Sequence, residues 1–141
     1  ARCRRSSSLR CEFSASGQAG MTSPSPSRAR VSSIVAIAHF EMRWPAEVEF
    51  AAFMIAREAV ENALRHSGAT AVTVSLSGSA LLLTLEVLDN GQGLPDQAST
   101  PLGHLGLAGM QERAKAVHAS LVLGPGEAGG TCIRLNWQPE P

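Results

Sequence analysis

The sequence is poor in several residue types, and each shortage excludes a class of protein or site. It has no tyrosine, a single lysine (Lys115) and three widely spaced cysteines, Cys3, Cys11 and Cys132. The cysteine spacing fits neither a zinc site nor a disulfide framework, which favours a reducing, cytoplasmic setting. No run of about 18 apolar residues occurs, so we expect no membrane segment in this chain.

Residues 1–30 differ in composition from the rest of the chain. They are rich in Arg, Ser and Pro, and they contain a single acidic residue, Glu12, to balance their arginines. Because large apolar groups are too few to offset the entropy of ordering, we predict a disordered tail, followed by one globular domain over residues 31–141. A transit peptide and an upstream linker fit this composition equally well. Aromatic residues do not interleave with the arginines, so no nucleic-acid partner is expected.

Hydrophobic periodicity predicts an α+β fold. A β-rich run begins at Val31, and a helix over about residues 46–67 follows Pro45. Further elements are predicted as a hairpin of Ala71 to Ser77 and Ala80 to Asp89 turning at Gly78-Ser79, a helix from Leu107 to His118, and strands Ser120 to Leu123 and Thr131 to Trp137. This order predicts a two-layer α/β sandwich, in which a mixed sheet carries its helices on one face.

Glu58 and Asn62 lie four residues apart on the first predicted helix and therefore share a face. The Asn62 amide oxygen is a hard donor that suits Mg²⁺, which also takes waters and phosphate oxygens. Glu58 could orient or deprotonate an attacking group near a terminal phosphate. The alternative is that both side chains simply face solvent.

Asp89 ends an almost wholly apolar predicted strand and is followed by Gly91 and Gly93. A lone carboxylate in apolar surroundings needs a donor, and the exocyclic amino group of adenine is one. The glycines would let the backbone approach a flat base or adopt dihedrals closed to other residues. An Asp-Asn-Gly turn is the simpler alternative, but it does not account for the long loop that follows.

A glycine run, Gly103, Gly106 and Gly109, leads into the second predicted helix. The unpaired N–H groups at a helix start can hold phosphate oxygens. The run is not a P-loop, because Lys115 lies inside the helix, and the spacing of a dinucleotide-binding fingerprint is absent. Thr131 follows Gly129-Gly130 at the start of the last predicted strand, where it either contacts the base or simply follows a hairpin turn.

With these motifs in this order, residues about 44–137 resemble the Bergerat-fold ATPase superfamily, which includes sensor histidine kinases and DNA gyrase. Three stretches, Arg57–Ala69, Asp89–Gly93 and Gly106–Arg113, look like the ATP-binding domain of histidine kinases that partner LuxR-type response regulators. The resemblance implies binding of ATP with Mg²⁺ and transfer of its terminal phosphate.

The resemblance also implies a role for each site residue. Asn62 would be the Mg²⁺ ligand and Glu58 the residue that assists phosphoryl transfer. Asp89 would bind the adenine amino group beside Gly91, Gly93 and Thr131. The stretch from about Leu94 to Leu105 would be the lid over ATP, and the cofactor would contact the start of the second helix at Gly106, Leu107, Gly109 and Met110.

Kinases of this type also carry a dimerisation domain with a phosphoacceptor histidine followed by Asp or Glu. None of the four histidines here has that setting, and His39 is followed by Phe40. We therefore expect transfer to a histidine on another domain, with a LuxR-type regulator as the indirect partner. Two alternatives use the same fold: a serine kinase of the anti-sigma-factor type and a nucleotide-binding regulatory module without turnover.

Overall fold

Six strands and two helices make up the part of the chain that the structure, a computed structural model, describes: residues 8–13, 33–40, 43–93, 106–127 and 129–140. The elements in chain order are β1 (Ser8–Phe13), β2 (Ser33–Phe40), α1 (Ala46–Arg65), β3 (Ala71–Ser79), β4 (Leu82–Asp89), α2 (Leu107–Ala116), β5 (Ser120–Pro125) and β6 (Thr131–Trp137). Neither helix combines the length and the apolar character that crossing a bilayer requires.

The strands form one mixed sheet in the order β1-β2-β3-β4-β6-β5. β2 and β3 are parallel and are connected through α1, whereas every other neighbouring pair is antiparallel. β4 therefore lies inside the sheet between β3 and β6, and its last residue, Asp89, pairs with Val72. This position fixes the predicted adenine-binding acid on a rigid support.

Both helices pack on the same face of the sheet. Alternate residues of β4 and β6 point to this face and are buried, with Leu83 and Leu135 fully so. α1 presents a stripe at helical spacing, and its small alanines allow close approach to the sheet; its buried residues are Val48, Ala51, Ala52, Ile55, Ala59 and Ala63. The predicted α+β sandwich with helices on one face is confirmed.

The start of α1 is tied to the β3–β4 hairpin. The indole N–H of Trp44 donates to the carbonyl oxygens of Ser79 at 2.8 Å and Leu82 at 3.0 Å. Glu49 accepts from the Trp44 backbone N–H at 3.2 Å and from the Arg43 guanidinium at 2.7 and 2.6 Å. The hydrogen bonds from Arg43 lower the pKa of the Glu49 carboxyl.

The hairpin turn is displaced from its predicted position. Gly78 and Ser79 still belong to β3, and Ser79 pairs with Leu82, so the turn is Ala80-Leu81. Gly78 is needed for a different reason, because a Cβ there would overlap the carbonyl oxygen of Leu82 across the hairpin. The prediction that Gly78-Ser79 forms the turn was wrong.

Other element ends also differ from the prediction. α1 ends at Arg65, α2 ends at Ala116, before His118 with its positive φ of 55°, and β5 continues to Pro125. β1 falls within the segment predicted to be disordered, and it pairs antiparallel with β2 from Ser8 opposite His39 to Phe13 opposite Ile34. The remainder of the predicted tail, residues 14–30 and 1–7, and the predicted lid between residues 94 and 105 lie outside the described residues.

Candidate functional site

The predicted site residues come from the second half of α1, the end of β4, the start of α2 and the start of β6. These four segments meet on the helix-bearing side of the sheet in two groups. One group joins Glu58 to Gly106, and the other joins Asp89 to Gly91, Gly130 and Thr131. The four motifs are separate in the sequence, but in the structure the α1 motif contacts the start of α2 and the end of β4 contacts the start of β6.

Glu58 lies directly against the start of α2. A Cβ on Gly106 would meet the Glu58 carboxylate, the end of a flexible side chain, and the positive φ of 63° at Gly106 is what requires glycine here. Gly106 is also the N-cap of α2, and its carbonyl oxygen accepts from the Met110 N–H at 3.0 Å. A carboxylate on α1 thus faces the segment whose N–H groups were predicted to hold phosphates.

Asn62 lies one helical turn after Glu58, in the last turn of α1. Its side chain is partly exposed, and its backbone carbonyl accepts from the His66 N–H at 2.9 Å. Glu61, beside it, pairs on the helix surface with Arg57 at 3.1 Å and Arg65 at 3.9 Å. Glu61 and Arg65 are therefore engaged with each other on the exposed side of the helix.

Asp89 is held in place by its neighbours. Its Oδ1 accepts from the Gly91 N–H at 2.8 Å. A Cβ on Gly130 would overlap the Asp89 carbonyl oxygen and would lie 2.9 Å from Oδ1, and Gly130 has a φ of 75°. Because Leu88 pairs with Cys132, the next step of the ladder places Asp89 beside Thr131, which is only 6% exposed. The sequence-based grouping of Asp89 with Thr131 agrees with this register.

Gly91 and Gly93 meet protein atoms. A Cβ on Gly91 would overlap the carbonyl oxygen and side chain of Ser67, in the loop after α1. Gly93 has a φ of 83°, and its Cβ would lie 3.3 Å from the Gly130 carbonyl oxygen. Both glycines thus allow close packing of the turn after β4, and their predicted contact with a base stays a prediction.

The start of α2 contains three more predicted contacts. Gly109 is partly exposed, and a Cβ there would lie 3.0 Å from Arg113 Nη1, the end of a flexible side chain. Leu107 packs against the hydrophobic core. Met110 is fully buried in that core, and its N–H is used within the helix. We therefore assign Met110 a packing role and leave it out of the proposed site.

Sequence reasoning assigned no role to three residues that shape this site, Asn90, Ser67 and Gly130. The Asn90 Oδ1 accepts from the backbone N–H groups of Thr70 and Ala71, each at 2.9 Å. Ser67 is 6% exposed, and its hydroxyl donates to the Ala63 carbonyl at 2.8 Å. A polar residue just after a helix end and an Asn-Gly pair were the available signals, but their partners are distant in sequence.

A cleft opens on the face of the sheet opposite the helices. It measures about 510 Å³ and is lined by Glu86, Cys132 and Arg134 together with the β5–β6 turn. Arg134 and Glu86 form an ion pair across β4 and β6. Burial, and next the neighbouring Glu86 carboxylate, raise the pKa of the Cys132 thiol. Asp89 and Gly129 also line this cleft, so it adjoins the adenine end of the candidate site, whereas Glu58, Asn62 and Gly106 do not line it.

Within the described ranges, no group of three or more His, Cys, Asp or Glu side chains is arranged to hold a metal ion. A metal bound chiefly by protein carboxylates or imidazoles is thus not supported there. The Glu58 carboxylate lies against the start of α2, and the Asn62 amide lies one helical turn later on α1. A carboxylate and an amide suit a cation that arrives with phosphate and water as its other ligands.

A family model described as histidine kinase-, DNA gyrase B- and HSP90-like ATPase matches residues 47–141. The chain belongs to this ATPase family. The matched stretch contains every predicted site residue from Glu58 to Thr131, so the sequence-based assignment of the family is confirmed.

Sequence relatives of this ATPase domain are histidine kinases and sensor proteins. It is 35% identical over 94 residues to the signal transduction histidine-protein kinase/phosphatase DegS of Brevibacillus brevis, covering 67% of this chain and 24% of DegS. It is 37% identical over 86 residues to the nitrate/nitrite sensor protein NarX of Escherichia coli (strain K12), covering 61% of this chain and 14% of NarX. The chain therefore spans a minor part of each relative's length.

Solved structures with this fold are also histidine kinase domains. The ATP binding domain of PrrB from Mycobacterium tuberculosis matches with a TM-score of 0.52 and 25% identity, over 84% of this chain and 78% of that one. The Erythrobacter litoralis EL346 blue-light activated histidine kinase matches with a TM-score of 0.57 over 74% of this chain and 35% of its own, and its 23% identity bears on the fold alone.

Proposed function

We propose that this chain is the ATP-binding catalytic domain of a two-component sensor histidine kinase, which uses Mg-ATP and gives the terminal phosphate to a histidine on another domain. The single observation that carries the proposal is the arrangement of two groups on one side of the sheet. Asp89, beside Thr131, offers an acceptor at a rigid strand end, and Glu58 faces the start of α2 at Gly106.

Each group suits one end of ATP. Within the described residues, the Gly91 N–H is the donor that reaches Asp89, and it uses Oδ1. Oδ2 is the acceptor that we assign to the adenine amino group, with Gly91, Gly93 and Thr131 around the base. At the other end, N–H groups at the start of α2 near Gly106, Leu107 and Gly109 would receive phosphate oxygens.

The donor set supports Mg²⁺ as a companion of ATP. Asn62 would hold the ion through its amide oxygen, and the ion would offset the charge of the phosphates. Glu58 would orient the attacking imidazole and accept its proton. In that step the new bond joins the imidazole nitrogen to the terminal phosphorus, the bond to the bridging oxygen breaks, and ADP leaves.

The partners follow from this chemistry. The histidine acceptor belongs to a dimerisation and phosphoacceptor domain of the kinase, and the phosphate would pass from there to a LuxR-type response regulator. A cytoplasmic location is part of the proposal, because ATP is available there. No nucleic-acid partner is proposed.

The first test is stabilisation of the protein by Mg-ATP. At about a hundred times its Kd, a ligand adds roughly 2.7 kcal/mol to the free energy of unfolding, which raises the melting temperature measurably. In Asp89→Asn, the amide oxygen can still accept from Gly91, but its NH₂ group would face the adenine NH₂ group, so the shift should vanish.

The matched control for that test is Glu86→Gln, which removes a carboxylate from the opposite face of the same strand. This variant should lose some stability without losing the shift that Mg-ATP causes. A full shift in Asp89→Asn would place the base elsewhere and would overturn the site assignment.

The second test separates binding from transfer. Asn62→Ala should weaken the dependence of ATP binding on Mg²⁺. Glu58→Ala should bind ATP but slow phosphate transfer to an added phosphoacceptor domain by about 10²-fold or more. If Glu58→Ala lost binding to the same extent as transfer, the assigned division of roles would be wrong. Acid lability of the labelled product separates a phosphohistidine from the phosphoserine that a serine kinase would give.

A further inference from the structure

Hydrogen bonds of Asn90 join the turn after β4 to the loop after α1. The side-chain oxygen of Asn90 accepts from the backbone N–H groups of Thr70 and Ala71, each at 2.9 Å, and its NH₂ group donates to the Thr70 hydroxyl at 2.9 Å. The backbone N–H of Asn90 also donates to the Ala71 carbonyl at 3.3 Å. One side chain therefore uses both ends of its amide to join two loops.

Ser67 makes a second set of hydrogen bonds, which joins the same turn to α1. The backbone carbonyl of Ser67 accepts from the Gln92 N–H at 2.8 Å. The Ser67 hydroxyl donates to the Ala63 carbonyl at 2.8 Å and accepts from the Ala69 N–H at 3.2 Å. Gly91 lies so close to Ser67 that any side chain on it would overlap. The turn is thus tied through Ser67 to the last turn of α1.

These two sets of hydrogen bonds, at Asn90 and at Ser67, connect the adenine end of the site to its phosphate end. The last turn of α1 carries Asn62, whose neighbour Ala63 is bonded by Ser67. Asp89 has further supports outside the turn, since it pairs with Val72 in β3 and is packed against Gly130, in addition to the hydrogen bond that its Oδ1 accepts from the Gly91 N–H. Loss of these hydrogen bonds would therefore leave Asp89 at the end of β4, but the end of α1 would become more mobile relative to Asp89.

We propose that Asn90 and Ser67 are positioning residues that set the separation between Asp89 at the adenine end and Asn62 at the phosphate end. Neither is assigned a contact with the nucleotide. This inference rests on the proposed function, because it requires that one ligand reach both ends. A ligand long enough to do so depends on the separation, whereas a ligand that occupies the adenine end alone does not.

The test compares Mg-ATP with adenosine on the full chain. Asn90→Ala removes all three side-chain hydrogen bonds. It should weaken Mg-ATP binding about tenfold while leaving adenosine binding within about twofold of wild type, as measured by calorimetry and by NMR titration. Asn90→Asp keeps the oxygen that accepts from Thr70 and Ala71, and the Thr70 hydroxyl can donate to it, so this variant should restore Mg-ATP binding.

Two further variants keep the result interpretable. Asn136→Ala is the matched control, because it removes an asparagine that accepts from the Thr84 hydroxyl at 3.1 Å on the opposite face of the sheet, and both affinities should be unchanged. Thr70→Val removes one hydrogen bond to Asn90 and should give a smaller loss for Mg-ATP alone. If Asn90→Ala fails to fold, Thr70→Val tests the inference in its place.

Equal losses of Mg-ATP and adenosine in Asn90→Ala would overturn the inference, because the turn would then shape the adenine end itself. Unchanged affinities with lower stability would overturn it as well, leaving Asn90 a purely structural residue. Failure of wild type to bind Mg-ATP would instead refute the proposed function, and the inference with it.

Discussion

Gly109→Ala is predicted to make the protein more stable and less able to bind ATP. Gly109 lies in the first turn of α2 and has an ordinary helical backbone. The added methyl group would meet only Arg113 Nη1, at 3.0 Å, and that guanidinium can rotate away. Nothing in the described fold therefore requires glycine at this position, in contrast to Gly106 and Gly130.

The magnitude follows from helix propensity. Alanine is favoured over glycine within a helix by about 0.5 to 1 kcal/mol, mainly because glycine loses more backbone entropy on folding. For a domain of this size, that gain raises the melting temperature by roughly 2 to 5 °C. Urea denaturation of the protein without nucleotide measures it directly.

The proposed role of Gly109 predicts the opposite effect on binding. A methyl group where the backbone approaches phosphate should reduce Mg-ATP affinity by about tenfold or more, which corresponds to about 1.4 kcal/mol. The variant should therefore start with a higher melting temperature and gain less from Mg-ATP than wild type does.

Gly130→Ala is the comparison that tests the reasoning. It places the same methyl group at a φ of 75° and against the Asp89 carbonyl, so it should destabilise the domain by about 3 kcal/mol or more. A loss of stability in Gly109→Ala would refute the packing argument. A stability gain with unchanged Mg-ATP affinity would show that Gly109 does not face the phosphates.

Three further predictions concern the core and the titratable groups. Ile55→Ala, at a fully buried position, should cost about 2 to 5 kcal/mol in urea denaturation, whereas Phe53→Ala on the same helix, at 63% exposure, should cost under about 1 kcal/mol; similar losses would contradict the assigned packing. Because burial raises the pKa of Cys132 above 9.0, iodoacetamide should alkylate it more slowly in the folded than in the unfolded protein, with a rate that rises with pH; peptide mapping measures it, and equal rates would contradict the burial. Because Arg43 lowers the pKa of Glu49 below 4.5, this carboxylate stabilises the fold above that pH and loses its contribution as pH falls through the lowered value; Arg43→Ala should therefore shrink the acid-induced loss of stability, and an unchanged loss would contradict the pairing.

The parts of the fold that follow local rules could be predicted from the sequence. α1 was predicted because its apolar residues recur at helical spacing after Pro45, and β6 because its β-favouring residues alternate. The parts that depend on distant pairing could not. β1 is defined by its ladder with β2, some twenty residues further on, and the hairpin turn is set by the pairing of Ser79 with Leu82.

The candidate site divides in the same way. The residue types and their order indicated Glu58, Asn62 and Asp89, because carboxylates and amides at those places suit ATP and Mg²⁺. The residues that hold them in position were not predicted. Asn90, for example, reads as part of a turn, and its hydrogen bonds to Thr70 and Ala71 become visible only when β3 and β4 are paired.

The contacts between motifs change what a motif match can establish. Gly106 is required by its positive φ, Gly91 by Ser67, and Gly130 by Asp89, so these glycines would be needed to form the fold even in a domain that had lost turnover. Family membership therefore supports the architecture of the site more directly than its activity. Glu58 is the residue at which the two can be separated, because its carboxylate supports neither the core nor the sheet in the described structure. A Glu58→Ala variant that folds and binds Mg-ATP but transfers no phosphate would assign this carboxylate to chemistry, and equal transfer by the variant and wild type would show that phosphate transfer does not depend on Glu58.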